Sequence, residues 1–153
     1  MPDKETLKRA EEDKREGKAP STQAGEFVRE EMDHIREGKH GARSAKQAIA
    51  IGLSKARRAG VDLPPPKAGS ASETTRMHAE HDEEVGRSGD HKISTMRSRA
   101  TKTALKKEGH AAASPRALSR QARSAASKRT PAARSAAAKK AAQTRARNRA
   151  KEA

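Results

Sequence analysis

The chain has 153 residues, of which 35 are Lys or Arg and 20 are Asp or Glu, so its net charge is +15. Cysteine is absent, which excludes disulfides, thiol catalysis and cysteine-based zinc sites. Trp and Tyr are also absent, and a single Phe leaves too little aromatic bulk for a single large core. No apolar run has the length of a signal or membrane segment, so we expect a cytoplasmic protein.

The charge is unevenly distributed along the sequence. Residues 1–63 carry 14 basic and 12 acidic side chains, residues 64–93 carry 4 and 6, and residues 94–153 carry 17 and 2. Blocks of one sign usually bind polyanions. These changes divide the chain into a solvated helix at 1–20, a helical hairpin at 21–63, a flexible linker and finally a basic tail.

The first two predicted helices precede Gly38. Residues 3–16 are rich in Lys, Glu and Arg and predict a solvated helix that stops at Gly17. A second helix is predicted to begin near Ser21 or Thr22 and to end before Gly38. Its apolar side chains recur at helical spacing and form one narrow stripe. That stripe consists of Phe27, Val28, Met32 and Ile35.

The stretch that follows contains the clearest helix signals of the chain. Ser44 and Gln47 have the spacing of a capping box at the start of a helix. Gly60 stands where a left-handed C-cap is needed. Between them, Ile49 and Leu53 lie on one face with several small residues. We expect this face to pair with the preceding stripe as a helical hairpin.

Two surfaces of this hairpin are candidate binding sites. The hairpin itself ends at the three consecutive prolines that begin at Pro64. The first surface is apolar and would mediate self-association or the docking of a partner protein. It comprises Phe27, Ile35, Ile49 and Leu53. The second is a secondary basic patch beside that face. It comprises Lys39, Arg43, Lys46, Lys55, Arg57 and Arg58.

No motif in the chain carries a convincing catalytic or metal site. His78 and His81 have a spacing that can bind a metal on a helix. They lie in a polar linker with no core to fix the ligands, so we expect no metal site and no cofactor. Carboxylates are numerous before Gly38, but nothing buries a pair and separates their pKa values as acid–base catalysis requires. We therefore expect no enzymatic activity.

The basic tail is predicted to be helical in segments, which makes the expected fold class mainly α. Ser114 and Thr130 each precede a proline and predict two helix starts. The expected helices lie near 95–108, 115–129 and 131–150. Repulsion between like charges nevertheless favours an extended, largely disordered tail, or isolated helices, until phosphates neutralise it.

An 11-residue repeat runs through part of this tail. Arg123, Arg134 and Arg145 occupy corresponding positions. Eleven residues make close to three helical turns, so on a continuous helix the cations would keep one face with a drift of only ~20°. Pro131 interrupts the helix between the repeats that begin at Arg123 and Arg134. The alternative interpretation is a low-complexity tail whose periodicity is coincidental.

The composition of the tail points to nucleic acid. Lys and Arg that meet phosphates release condensed counterions, an effect independent of base sequence. No aromatic side chain in the tail can stack on unpaired bases, which favours duplex DNA over single strands or RNA loops. The expected contact residues are Arg97, Arg99, Lys102, Lys106, Lys107, Arg116, Arg120, Arg123, Lys128, Arg129, Arg134, Lys139, Lys140, Arg145, Arg147, Arg149 and Lys151.

We therefore predict a non-enzymatic, histone-H1-like protein of the nucleoid that binds DNA largely without regard to sequence. Two alternatives stay open. In the first, the chain is a protein-interaction adaptor or plasmid-stabilisation-type protein whose hairpin binds a partner. In the second, it is associated with RNA or the ribosome.

Three stretches resemble a family of small basic bacterial proteins of unknown function. They are DKREGKAPSTQAGEFVREE at 13–31, GKHGARSAKQAIAIGLSKARRAGVDLPPP at 38–66 and RSAAAKKAA in the tail. Members are commonly labelled DNA-binding or plasmid-stabilisation-like, so the resemblance implies a DNA-binding role. The tail by itself resembles linker-histone tails. The family supplies no catalytic residues to carry over.

Overall fold

The computed structural model describes residues 2–89 and 94–152, of which 74% are helical. The end of the expected linker, residues 90–93, lies outside the described residues. The regular elements of the described part are α1 (Lys4–Arg15), α2 (Pro20–Arg36), α3 (Ala45–Arg58), α4 (Glu73–Ser88), α5 (Thr95–Lys106), a 3-10 helix (Ala111–Ala113), α6 (Pro115–Ser127) and α7 (Pro131–Glu152). None of these helices is both long and apolar enough to cross a membrane. The chain divides into two compact units, residues 1–117 and 118–153.

Helices α2 and α3 form the hairpin expected from the sequence. They pack together more extensively than any other pair of elements in the described residues. Phe27 and Ile35 of α2 are fully buried. The two backbones approach closely at Gly52, where a Cβ atom would lie 2.7 Å from Val28 Cα. A small residue at this crossing therefore allows a backbone contact that a side chain would prevent.

Local signals set both ends of α3. Ser44 Oγ accepts a hydrogen bond of 3.2 Å from Gln47 N, and the Gln47 side chain reaches back to the preceding backbone. At the other end Gly60 has a φ of +85°, and Val61 N donates a hydrogen bond of 3.1 Å to Ala56 O. This is the pattern of a left-handed C-cap. The predicted start and stop of the helix are confirmed.

Two further helices pack on the hairpin, contrary to expectation. Helix α1, expected to be solvated, packs on α2 and buries Thr6 and Ala10. Helix α4 lies in the segment expected to be a flexible linker, yet it packs on α3 and buries Ala79 and Asp82. A Cβ atom on Gly86 of α4 would lie 2.0 Å from a backbone oxygen of α3. These helices pack on the hairpin through small residues and buried polar residues. Apolar periodicity therefore did not predict this packing.

The expected arrangement, a small hairpin with no single large core, is wrong because α1, α2 and α3 share one core. Its buried members are Ala10, Ala24, Phe27, Ala56 and Val61, and Leu7, Leu53 and Leu63 pack partly buried against them. Most of the buried members are alanines. A count of large apolar side chains therefore underestimates this core.

The basic segment after α4 begins by packing back on the hairpin. Gly41 N donates a hydrogen bond of 2.9 Å to Leu105 O, and Ala42 N donates one of 3.1 Å to Gly109 O. The 3-10 helix that follows contacts both α2 and α3 through two buried alanines. Backbone hydrogen bonds and alanine packing thus order this segment without large apolar side chains.

The rest of the expected tail is also helical. At the start of α6, Ala117 N donates a hydrogen bond of 3.2 Å to Ser114 Oγ. At the start of α7, Ala133 N donates one of 3.2 Å to Thr130 Oγ1. Both predicted helix starts are confirmed. The expectation of a largely disordered tail is wrong, because caps together with the high helix propensity of Ala, Lys and Arg give helices without a nucleic acid.

Candidate nucleic-acid interface

The exposed cations after residue 93 form the candidate interface. The sixteen Lys and Arg side chains of residues 94–150 are all exposed. Within the described residues none of them forms an ion pair, because Glu108 pairs with Arg43 at 3.6 Å instead. The side chain of Lys151 lies outside the described residues. These sixteen charges are therefore available to an anionic partner.

Helix α5 and its C-cap carry five of these cations: Arg97, Arg99, Lys102, Lys106 and Lys107. At about 100° per residue, Arg99, Lys102 and Lys106 fall within one narrow face of the helix. At the C-terminal end of α5, Leu105 O and Gly109 O accept hydrogen bonds from the backbone of the α2–α3 turn. The first cationic stripe is thus fixed to the folded unit.

Helix α6 carries a second stripe. Arg116, Arg120 and Arg123 follow the i, i+4, i+7 spacing that puts three side chains on one face. A helix rises ~1.5 Å per residue, so this stripe is about 10 Å long. Leu118 lies on the opposite side and is partly buried. The exposed cations Lys128 and Arg129 follow in the connection to α7.

Helix α7 is exposed at residues 131–150 and has two cationic faces. Arg134, Arg145 and Arg149 share one face, and Lys140 and Arg147 share another, with Lys139 between them. The 11-residue spacing keeps Arg134 and Arg145 aligned because the helix is continuous between them. The prediction that the repeat confines the cations to one face is incomplete, since a second face carries Lys140 and Arg147.

Three members of the predicted basic patch are committed to internal contacts. Lys55 Nζ lies 2.7 Å from Glu31 Oε2. Arg57 is only 7% exposed and donates hydrogen bonds to two carbonyl oxygens beyond α3. Its burial lowers the pKa of the Arg57 guanidinium, an effect that nearby carboxylates oppose. Arg58 Nε donates a hydrogen bond of 2.6 Å to Asp82 Oδ1. These cations hold helices together and are poorly placed for a ligand.

The other three members lie on the surface. Lys39 Nζ pairs with Glu37 at 2.9 Å, and this hydrogen bond raises the pKa of Lys39. Arg43 is exposed beside Glu108, and Lys46 is exposed on α3. Of these three, Lys46 alone forms no ion pair with another described residue. The patch is therefore a minor contributor of positive charge.

The predicted apolar docking face is largely inside the fold. Phe27 and Ile35 are buried, and Ile49 and Leu53 are partly buried. Leu53 packs against the core shared by α1, α2 and α3, so only part of the predicted face is exposed.

Sequence analysis missed a cluster of ionisable side chains at the turn of the hairpin. Glu31, His34 and His40 each place one potential ligand atom within 4.8 Å of the others. Glu31 and His34 lie three residues apart on α2, a spacing that could have revealed the pair. The singled-out pair His78 and His81 is instead exposed on α4.

Comparison with known proteins adds one finding. Residues 15–67 match the model of a family of unknown function, DUF6496. The match contains the α2–α3 hairpin and does not reach α4–α7. The resemblance to an uncharacterised family is confirmed for this segment, and the match brings no DNA-binding or plasmid-stabilisation label with it. No curated protein and no solved structure matches the chain.

Proposed function

We propose that this protein is a non-enzymatic, nucleoid-associated protein that binds duplex DNA through the phosphate backbone. The observation that carries the proposal is the set of sixteen exposed Lys and Arg side chains on and between α5, α6 and α7. Residues 1–93, by contrast, balance 18 basic against 18 acidic side chains. Affinity for a polyanion therefore resides in the last three helices.

Phosphate neutralisation is the physical basis of binding. Each cation that contacts a phosphate releases condensed counterions, and the gain is entropic. The stripes on α5 and α6 and the two faces of α7 present their charges at helical spacing, which suits contact along a backbone. Alanines between the cations let the helices approach the duplex closely.

Binding of this kind is largely independent of base sequence. Direct readout depends on side chains that form specific hydrogen bonds with base edges in a groove. The three helices offer mostly Lys, Arg, Ala and Ser, and they have no aromatic residue for stacking on unpaired bases. The chemistry therefore favours intact duplex over single strands.

An adaptor role for the hairpin has less support. The residues that would form its apolar docking face make their contacts inside the first unit, as described above. An RNA-binding role would use the same cations, so the experiment below also compares duplex RNA with duplex DNA.

The test compares two triple variants of the full chain that remove equal charge. One carries R116Q, R120Q and R123Q in α6; the other carries K4Q, K8Q and K14Q, three exposed lysines of α1. Fluorescence anisotropy with duplexes of unrelated sequence should show at least ~10-fold weaker binding for the α6 variant and less than ~2-fold for the α1 variant. Circular dichroism checks that both variants stay helical.

Three results would overturn the proposal. The first is equal weakening by the two triple variants, which would reduce the effect to net charge. The second is failure of the unaltered chain to bind duplex DNA at low salt. The third is clearly tighter binding to duplex RNA than to DNA of the same sequence.

A further inference from the structure

We propose that Glu31, His34 and His40 form a binding site for a divalent transition-metal ion at the turn between α2 and α3. One carboxylate and two imidazoles are a ligand set that zinc takes in proteins, with a fourth position left open. Two nitrogen donors also disfavour Mg²⁺ and Ca²⁺, which prefer oxygen. The site is independent of the cations proposed to bind DNA.

The buried carboxylate of Glu31 is the first observation. Its side chain is 0% exposed, yet neither oxygen accepts a hydrogen bond from any described residue. Lys55 Nζ lies 2.7 Å from Oε2 without the alignment of a hydrogen bond, and Oε1 lies 3.2 Å from His40 Nε2. A buried carboxylate oxygen without a hydrogen bond is costly unless a cation compensates it.

The ring orientation of His40 is the second observation. Nδ1 lies 3.0 Å from Gly41 O, and a carbonyl oxygen only accepts, so Nδ1 carries the proton of this hydrogen bond. In the neutral imidazole the lone pair is then on Nε2, which lies 3.2 Å from Glu31 Oε1. A lone pair facing a carboxylate is repulsive unless a cation lies between them. A second-shell hydrogen bond to a backbone carbonyl is also how metal-bound histidines are usually oriented.

The spacing of these two atoms fits a metal. Ligand atoms ~2.0–2.1 Å from a zinc ion at a near-tetrahedral angle lie about 3.3 Å apart, and the Glu31–His40 distance is 3.2 Å. His34 Nε2 lies 3.3 Å from Asp3 Oδ2, so a carboxylate orients this ring as well, and Nδ1 lies 4.0 Å from Glu30 Oε1.

The local charge also calls for a cation. Glu30 and Glu31 are both buried and Asp3 adjoins them, whereas Lys55 is the one ammonium paired with this group in the described part of the chain. Carboxylates therefore outnumber the ammonium groups in direct contact with them here, and a bound divalent ion would add positive charge beside the buried Glu30 and Glu31.

The test uses Zn²⁺ as the probe with the full chain after treatment with a chelator. Isothermal titration calorimetry should give one ion per chain with a Kd of micromolar or tighter. His40→Asn should weaken binding at least ~100-fold, because it removes one of three ligands. The control replaces both exposed histidines of α4, His78→Asn and His81→Asn, and should leave the Kd within ~2-fold.

A second measurement needs no variant, so it is valid even where His40→Asn fails to fold. In the unaltered chain, the imidazole ¹⁵N resonances of His40 should shift at Nε2 and not at Nδ1 when one equivalent of Zn²⁺ is added. Failure to bind Zn²⁺ at 100-fold excess, or zinc shifts confined to His78 and His81, would overturn the proposal.

Discussion

Arg58 Nε on α3 donates a hydrogen bond of 2.6 Å to Asp82 Oδ1 on α4. The other oxygen of the same carboxylate, Oδ2, accepts a hydrogen bond of 2.5 Å from Ser54 Oγ. Asp82 is 6% exposed, so one buried acid joins two residues of α3 to a helix in the expected linker. A cation of the predicted secondary basic patch therefore stabilises the fold.

Asp82→Ala should detach α4 from the hairpin. It removes two hydrogen bonds, one of them charge-assisted, and we expect the free energy of unfolding to fall by about 1–3 kcal/mol. Chemical denaturation followed by circular dichroism measures the change. Glu80→Ala on the same helix is the control, because its exposed ion pair with Arg76 should contribute less than ~1 kcal/mol. Equal effects would mean that α4 is not held through Asp82.

Two helical glycines should respond to alanine in opposite directions. Gly52→Ala puts a Cβ atom 2.7 Å from Val28 Cα, so the helices must separate and the melting temperature should fall. Gly25→Ala meets nothing within 4 Å and should stabilise the chain by about 0.5–1 kcal/mol through helix propensity. Thermal unfolding of the two variants compares them directly. Stabilisation by both substitutions would disprove the close crossing of α2 and α3.

Gly41→Ala should release the end of α5 from the hairpin. The new Cβ atom would lie 2.0 Å from Glu108 O, which no small adjustment can accommodate. Hydrogen exchange at the backbone amides of residues 41 and 42 should accelerate, because their acceptors are Leu105 O and Gly109 O. Gly109→Ala has free space and should leave both amides protected. Unchanged protection in the Gly41 variant would contradict the docking.

Lys55→Ala should destabilise the first unit strongly. Lys55 is the ammonium beside the fully buried Glu31, and removal of one partner of such a pair costs roughly 3–5 kcal/mol. Lys46→Ala, at an exposed position of the same helix, should stay within ~0.5 kcal/mol of the parent. Urea unfolding is measured with a chelator present, so that bound metal does not contribute. A loss at Lys55 as small as that at Lys46 would contradict the buried pair.

The features predicted correctly from sequence are those set by near neighbours. The Ser44 cap and the Gly60 C-cap depend on residues within one turn, and the starts of α6 and α7 follow from Ser114 and Thr130 in the same way. The α2–α3 pairing was predicted because a short turn joins two apolar faces. Each of these signals is contained in a few consecutive residues.

The features that were missed depend on contacts between distant segments. α1 and α4 dock through Ala10, Gly86 and the buried Asp82, which look like surface residues in the sequence. Glu31 also stands in a run of charged residues, and only its burial beside His40 distinguishes it. The helices after residue 93 were predicted, but they were expected to be largely disordered without nucleic acid, because repulsion between cations was given more weight than capping and propensity.

The dependence of DNA affinity on salt tests the central claim most directly. With about eight phosphate contacts, log K for the full chain on duplex DNA should fall against log salt with a slope near −7, and duplexes of unrelated sequence should give the same slope. Anisotropy titrations at several salt concentrations measure it. A slope between zero and about −2, or no detectable binding at low salt, would contradict the account.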